Sequence, residues 1–262
     1  MTDYQRLTIE TRGPVGIVTM NRPERRNAID TLVIDELPRA VNELADQDGI
    51  EAIVLTGADP AFCAGLDLHE LGSTGANLVL PERPDYRWPW SIDIPVIGAV
   101  NGPAIAGGFE LALHCDFLVA SDRAVFGDTH ARVGQFPGAG LTVRLTELIG
   151  IARTKMMCLT GNFVDAGTAR DWGIVVDVVP HDELVDRCVG LANDIADNDR
   201  RTVRHLLPHL DAVAGITREP GLHLVDEEMR SWNDDFEPAD VAARRDAIFE
   251  RSRAQRAASP AS

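Results

Sequence analysis

Asn101-Gly102-Pro103-Ala104-Ile105-Ala106-Gly107-Gly108-Phe109-Glu110 follows the apolar run Pro95 to Val100 and leads into a short helical pattern, Gly107 to His114. Glycines at a strand end let backbone approach a ligand closely, and a helix start offers free N–H groups in a field that favours negative charge. Glu110 stands three residues after Gly107, which places its carboxylate on the side of the first turn that carries the Gly107 N–H. A second stretch of the same kind, Ala61-Phe62-Cys63-Ala64-Gly65-Leu66-Asp67-Leu68, follows the buried-strand pattern Ile50 to Thr56. Main-chain donors beside a carboxylate base suit proton or water chemistry next to a carbonyl.

Outward from these two stretches, the chain opens on a hairpin, with residues 6 to 11 and Ile17 to Asn21 as strands around Gly13-Pro14. Apolar residues at helical spacing run from Asp30, a candidate N-cap, to Asp46, with a kink expected at Pro38. Residues 69 to 93 read as an irregular or partly helical loop carrying Tyr86, Trp88 and Trp90, which either bound a ligand channel or pack beneath the loop. Short strands are expected at Phe117 to Ala120 and Ala124 to Phe126, two helical segments broken at Gly150 over Leu141 to Thr160, a helix at Val164 to Trp172 and a strand at Ile174 to Val179. Beyond Asp182 the pattern is helical: Leu184 to Ala196, Thr202 to Ala214, Glu219 to Trp232 and Ala239 to Arg253, with fraying after Ala254. The reading is α/β, with a mixed core over residues 1–195 and an all-helical region over 196–262.

Composition narrows the function classes. Among 262 residues, 41 are acidic and 25 are Lys or Arg, a net charge of −16 that disfavours nucleic acid as a partner. No apolar run is long enough to span a membrane and the polar start lacks a secretory stretch, so a cytoplasmic protein is expected. Cys63, Cys115, Cys158 and Cys188 lie far apart, which fits small buried residues rather than a disulfide framework or zinc site. His205 and His209 have ligand spacing, but Pro208 interrupts them and no third ligand is evident, so no metal site is expected. Lys155 is the only lysine, leaving arginines and backbone N–H groups to hold an anionic ligand.

Taken with Asn21-Arg22-Pro23-Glu24-Arg25-Arg26-Asn27-Ala28, Phe126-Gly127-Asp128-Thr129-His130, Gly134 to Gly140 and Leu159-Thr160-Gly161, the two glycine stretches resemble the crotonase superfamily of enoyl-CoA hydratases and isomerases over residues 5 to 253. The resemblance implies a spiral of ββα units and a C-terminal helical trimerisation region, with trimers that often pair into hexamers. It implies an acyl-CoA substrate whose thioester carbonyl is polarised by the N–H groups of Leu66 and Gly107, coenzyme A entering with the substrate and no metal or redox cofactor being needed.

Hydratases of this family use two glutamates. The first maps onto Glu110; the second position holds His130, whose imidazole exchanges protons near neutral pH. Hydration of a 2-enoyl-CoA is therefore the leading expectation, with double-bond isomerisation, thioester hydrolysis or an acyl-CoA-binding role as alternatives. For substrate and coenzyme A the resemblance implies Arg25, Arg26, Ala28, Ala64, Leu66, Asp67, Leu68, His69 and Gly107, while Arg251 to Arg256 are basic candidates from a neighbouring subunit or a solvated helix face. Asp67 reads as a loop-ordering acceptor more than as a base. Asp128 either lines the acyl pocket or orients the loop.

Overall fold

The computed structural model describes residues 3–78, 89–234 and 237–258, so Tyr86 and Trp88 lie outside the described residues. The chain begins with β1 (Leu7–Arg12) and β2 (Val15–Met20), antiparallel with Leu7 opposite Met20, and continues into α1 (Thr31–Ala45). Asp30 is the N-cap expected from sequence: its carboxylate accepts from Val33 N–H at 2.9 Å. Pro38 sits inside α1, where Val33, Ile34, Leu37, Val41 and Leu44 form the buried stripe.

Next come β3 (Ala52–Gly57), α2 (Leu68–Ser73), β4 (Val96–Val100), β5 (Ala104–Ile105) and α3 (Gly107–Ala112). They are followed by β6 (Phe117–Ser121), β7 (Val125–Gly127), α4 (His130–Val133), α5 (Leu141–Ile149) and α6 (Ile151–Thr160). The chain continues through β8 (Val164–Asp165), α7 (Ala166–Trp172), β9 (Asp177–Val179) and α8 (Leu184–Ala196). The last helices are α9 (Arg200–Val213), α10 (Arg218–Asp234) and α11 (Pro238–Ala258).

The succession β1-β2-α1, β4-β5-α3 and β6-β7-α4 is the repeated ββα unit. In the unit built on β3, the second strand shrinks to a single parallel bridge between Cys63 and Ala104. The first strands build a six-stranded sheet in the order β1-β2-β3-β4-β6-β9, parallel from β2 onward, and β5, β7 and β8 form a second, three-stranded sheet. Both faces of the large sheet are covered, so alternate residues serve two cores. Val54, Ile97 and Val119 pack with Leu184, Cys188 and Ala192 of α8, while Leu55, Val96 and Val100 join Leu37, Phe62 and Phe109 on the other face. The site lies where the large sheet's strands end and the small sheet begins.

Four details differ from the sequence reading. Val164 and Asp165 pair with β7 before α7 starts, because Asp165 turns its carboxylate back to cap Thr168 N–H at 2.7 Å. The last strand is confined to Asp177–Val179, the segment in register with β6. Pro208 does not interrupt α9, and α11 continues past Ala254 to Ala258. By their contacts the residues group into two compact units, Met1–Leu210 and Asp211–Ser262, and Arg200 and Arg204 tie the first turns of α9 to Glu51 at 3.3 Å and Asp93 at 2.8 Å within the first. Residues 211–262 form a separate helical unit containing α10 and α11.

Candidate active site

Two backbone segments make one wall of the site. Cys63 N–H donates to Pro103 O at 3.1 Å and Ile105 N–H to Cys63 O at 3.0 Å, which sets the loops after β3 and β4 side by side. Ile29 N–H then donates to Gly65 O and Asp67 N–H to Ile29 O, each at 2.8 Å, and the Leu66 N–H lies outside this ladder. Across from it Gly107 is the first residue of α3, where an N–H has no partner one turn back. The approach is close: a Cβ on Gly107 would lie 3.6 Å from Leu66 N, and one on Gly65 would lie 2.9 Å from Ile105 O. Gly65 has φ +93°, a conformation glycine adopts without strain, whereas Ala106 at φ 49° holds a backbone geometry that costs of order 1–3 kcal/mol and sets the entry to α3. The structure thus sets Leu66 and Gly107, the two residues that the resemblance pairs, side by side on one cavity.

Facing these amides are Glu110, on α3, and His130, at the start of α4. One Glu110 oxygen accepts from Ala139 N–H at 2.8 Å and the other lies 3.6 Å from His130 Nε2. Burial pushes the Glu110 carboxyl above its ordinary range, against the Ala139 N–H and the His130 ring, which pull it down. For His130 burial acts against the charged ring, but the Asp128 carboxylate, 2.6 Å from Nδ1, and the charge of Glu110 outweigh it and raise the imidazole above its ordinary value. Asp128 is buried, accepts the His130 N–H at 3.0 Å as well, and is hydrogen-bonded to Cys158. Its own pKa falls despite burial because of these donors, while burial and the adjacent carboxylate push the Cys158 thiol up to about 12. Of the two sequence readings of Asp128, the geometry favours orientation: it fixes the His130 ring so that Nε2 faces Glu110.

The rim is ordered by ion pairs. Arg22 reaches Asp67 at 2.7 Å and Asp30 at 3.6 Å, and donates to Ala28 O at 3.2 Å. Burial opposes the charge on Asp67, yet Arg22 and the N–H groups of His69 and Glu70 hold its carboxyl below the ordinary range. Asp67 caps α2, in agreement with a loop-ordering role. Arg25, Arg26, Leu68 and His69 are exposed, Ala28 is buried, and Ala64 N–H donates to Arg26 O at 3.0 Å, so both arginines stand next to the Gly65 loop. Trp90 packs against the main core.

Ile29, Leu66, Asn77, Gly107, Glu110, His130, Gln135, Phe136, Gly138 and Ala139 line a half-open cavity of about 100 Å³. It offers paired amide donors, a carboxylate with a raised pKa and an imidazole within one small space. Residues 10–251 match the enoyl-CoA hydratase/isomerase family profile. The chain belongs to that family.

Among its relatives in the family is a Rhizobium meliloti protein named "Probable enoyl-CoA hydratase", 38% identical over 197 residues, covering 74% of this chain and 76% of the relative. The mitochondrial enoyl-CoA hydratase of Pongo abelii is 36% identical over 203 residues, covering 76% of this chain and 70% of the relative. The crystal structure of an enoyl-CoA hydratase from Mycobacterium tuberculosis superposes with a TM-score of 0.74 at 43% identity, covering 80% of this chain and 90% of that one.

Sequence reasoning missed four participants. Ala139 was hidden because it acts through its main chain, Asn77 because it lay in a stretch without periodicity, and Cys158 because nothing links it in sequence to Asp128. Arg22 was visible inside Asn21-Arg22-Pro23, and two nearby carboxylates at Asp30 and Asp67 were the signal that it is needed as their counter-charge.

Proposed function

We propose that this protein is an enoyl-CoA hydratase that adds water across the C2–C3 double bond of a 2-enoyl-CoA thioester. The observation that carries the reading is the facing pair of Glu110 Oε2 and His130 Nε2, 3.6 Å apart, in the cavity that Leu66 and Gly107 also line. At that separation the two groups do not bond directly, and a water placed off the line between them touches both. Glu110 takes a proton from this water as its oxygen bonds to C3, and the electron pair of the double bond moves to the thioester oxygen. The Leu66 and Gly107 N–H groups hold the oxyanion, a type of contact worth about 10²- to 10³-fold in rate per donor. The enolate then collapses as His130 gives its Nε2 proton to C2. Proton transfer from Glu110 to His130 restores both groups.

On the same reading Arg25 and Arg26 hold the phosphates of coenzyme A, no further cofactor is required and the protein works in the cytoplasm. A homotrimer, or a dimer of trimers, is the assembly we propose. Exposed apolar side chains on and after α5 and α6, among them Val143, Ile151, Leu159 and Phe163, support it, and sedimentation analysis tests it.

The deciding experiment is mass spectrometry of saturated, 2-enoyl and 3-enoyl acyl-CoA thioesters after incubation with the protein. The expected result is a gain of one water on 2-enoyl substrates, with kcat falling about 10²- to 10⁴-fold in Glu110→Gln while acyl-CoA still binds. Release of free coenzyme A, or an isobaric shifted alkene, would replace hydration by hydrolysis or isomerisation; an unchanged panel with intact binding would leave a binding protein.

A further inference from the structure

Asn77 is fully buried and shares the cavity with Glu110 and His130. Its Nδ2 donates to Ile29 O and to Asp67 O, each at 3.1 Å, and so both amide hydrogens are committed. Those two acceptors also fix the orientation of the side chain, because flipping it would set the oxygen against two carbonyl oxygens. The remaining atom, Oδ1, is buried without a hydrogen-bond partner among the described residues. An amide oxygen withdrawn from water and left without a donor costs free energy that a ligand recovers by donating to it.

We infer that Asn77 Oδ1 is a specificity determinant that accepts a hydrogen bond from a hydroxyl group on the acyl chain of the substrate. The inference rests on the acyl-CoA reading of the site and deepens it: the preferred substrate is a hydroxylated 2-enoyl thioester rather than its hydrocarbon counterpart. A hydroxyl is the donor that suits this acceptor: Oδ1 is neutral and accepts only, and a hydroxyl on an acyl chain donates one hydrogen bond without carrying a charge into the site. The Ile29 and Leu66 side chains make the adjoining wall apolar, so orientation of a polar substituent falls to Asn77. A site built to satisfy a substrate hydroxyl discriminates strongly against the analogue that lacks it, because the buried acceptor then stays unpaired.

The test uses matched pairs of 2-enoyl-CoA thioesters with and without a hydroxyl at C4, C5 or C6. Initial rates are measured on the wild-type protein, and dissociation constants by calorimetry on Glu110→Gln, which is expected to bind without turnover. At least one hydroxylated member should exceed its hydrocarbon partner about tenfold in kcat/KM and in affinity, and Asn77→Leu should erase that ratio. Should loss of the Nδ2 donors prevent Asn77→Leu from folding, Asn77→Ser, which admits water to Ile29 O and Asp67 O, reads the same ratio. Equal values for every pair, or a preference that persists in the Asn77 variants, would overturn the inference while leaving hydration intact. A hydroxyl preference in binding without hydration of any pair would uphold the inference and overturn the hydratase reading, and failure to bind any acyl-CoA would overturn both.

Discussion

The two walls of the cavity are held in opposite ways. On the side of Leu66 and Gly107, backbone lies on backbone: a Cβ at Gly108 would come within 2.1 Å of Cys63 O, and one at Gly65 within 2.9 Å of Ile105 O. On the side of residues 134–140, Gly134 and Gly138 have nothing within 4 Å of an added Cβ, Phe136 is 83% exposed, and the wall is tied to the Glu110 carboxylate near its end, by Ala139 N–H at 2.8 Å and by the backbone N–H of Leu141. Close packing leaves the first wall no alternative geometry, as a preorganised donor pair requires. The second wall has space to vary, which is where a change of acyl group is accommodated at least cost.

The strongest way to break this contrast is Gly108→Ala. Its methyl group meets a main-chain carbonyl, so we expect a loss of about 3 kcal/mol in urea unfolding, at the upper end of overpacking effects. Tolerance of that methyl would mean that the first wall is not rigid.

Asp128→Asn comes next and sharpens the role of the imidazole that stands between the walls. We expect kcat to fall about tenfold, which is close to 1.4 kcal/mol. Because Asp128 raises the His130 pKa, the alkaline limb of kcat/KM should lie above about 6.5 in the wild type and move down in the variant. A group with a raised folded pKa adds stability that is full below its unfolded pKa of about 6.5 and fades as pH rises through the folded value. The stability difference between wild type and Asp128→Asn should therefore shrink on going from mildly acidic to alkaline solution. An unmoved alkaline limb would show that Asp128 only supports the loop.

Two smaller effects probe the second wall. Gly134→Ala, in open space but at φ +72°, should cost about 1 kcal/mol from backbone strain alone. Gly138→Ala, open and without positive φ, should stay within about 0.5 kcal/mol of wild type. A large loss at Gly138 would show that the second wall is as constrained as the first.

The same contrast explains what was legible in the sequence. The buried strands β3 and β4 read as continuous apolar runs and α1 carries a period-3.6 stripe long enough to be read, and glycines pressed between backbones at 65 and 108 mark the first wall. Ala104–Ile105 and Val164–Asp165 are too short to show any period and exist as strands only through pairing with β7. Glu110 and His130 were readable as residue types at family positions. Their distance and the Ala139 N–H in front of the carboxylate are products of segments twenty or more residues apart, whereas the Asp128 contact behind the ring is local, two residues away, and is decided by the turn that folds the carboxylate back onto Nδ1. Asn77 lies in a short 3₁₀ turn with no period to reveal it, and its meaning rests on the two carbonyls that use up its donors.

That the paired donors are main-chain amides has an evolutionary consequence. Every residue except proline carries an N–H, so no other codon change at position 66 or 107 deletes the donor itself. Single-base changes can, by contrast, convert the side chains at 110 and 130, proposed above as base and acid. A lineage built on this scaffold therefore inherits its paired amides almost indelibly, and is free to try new reactions by rewriting a handful of side chains around them.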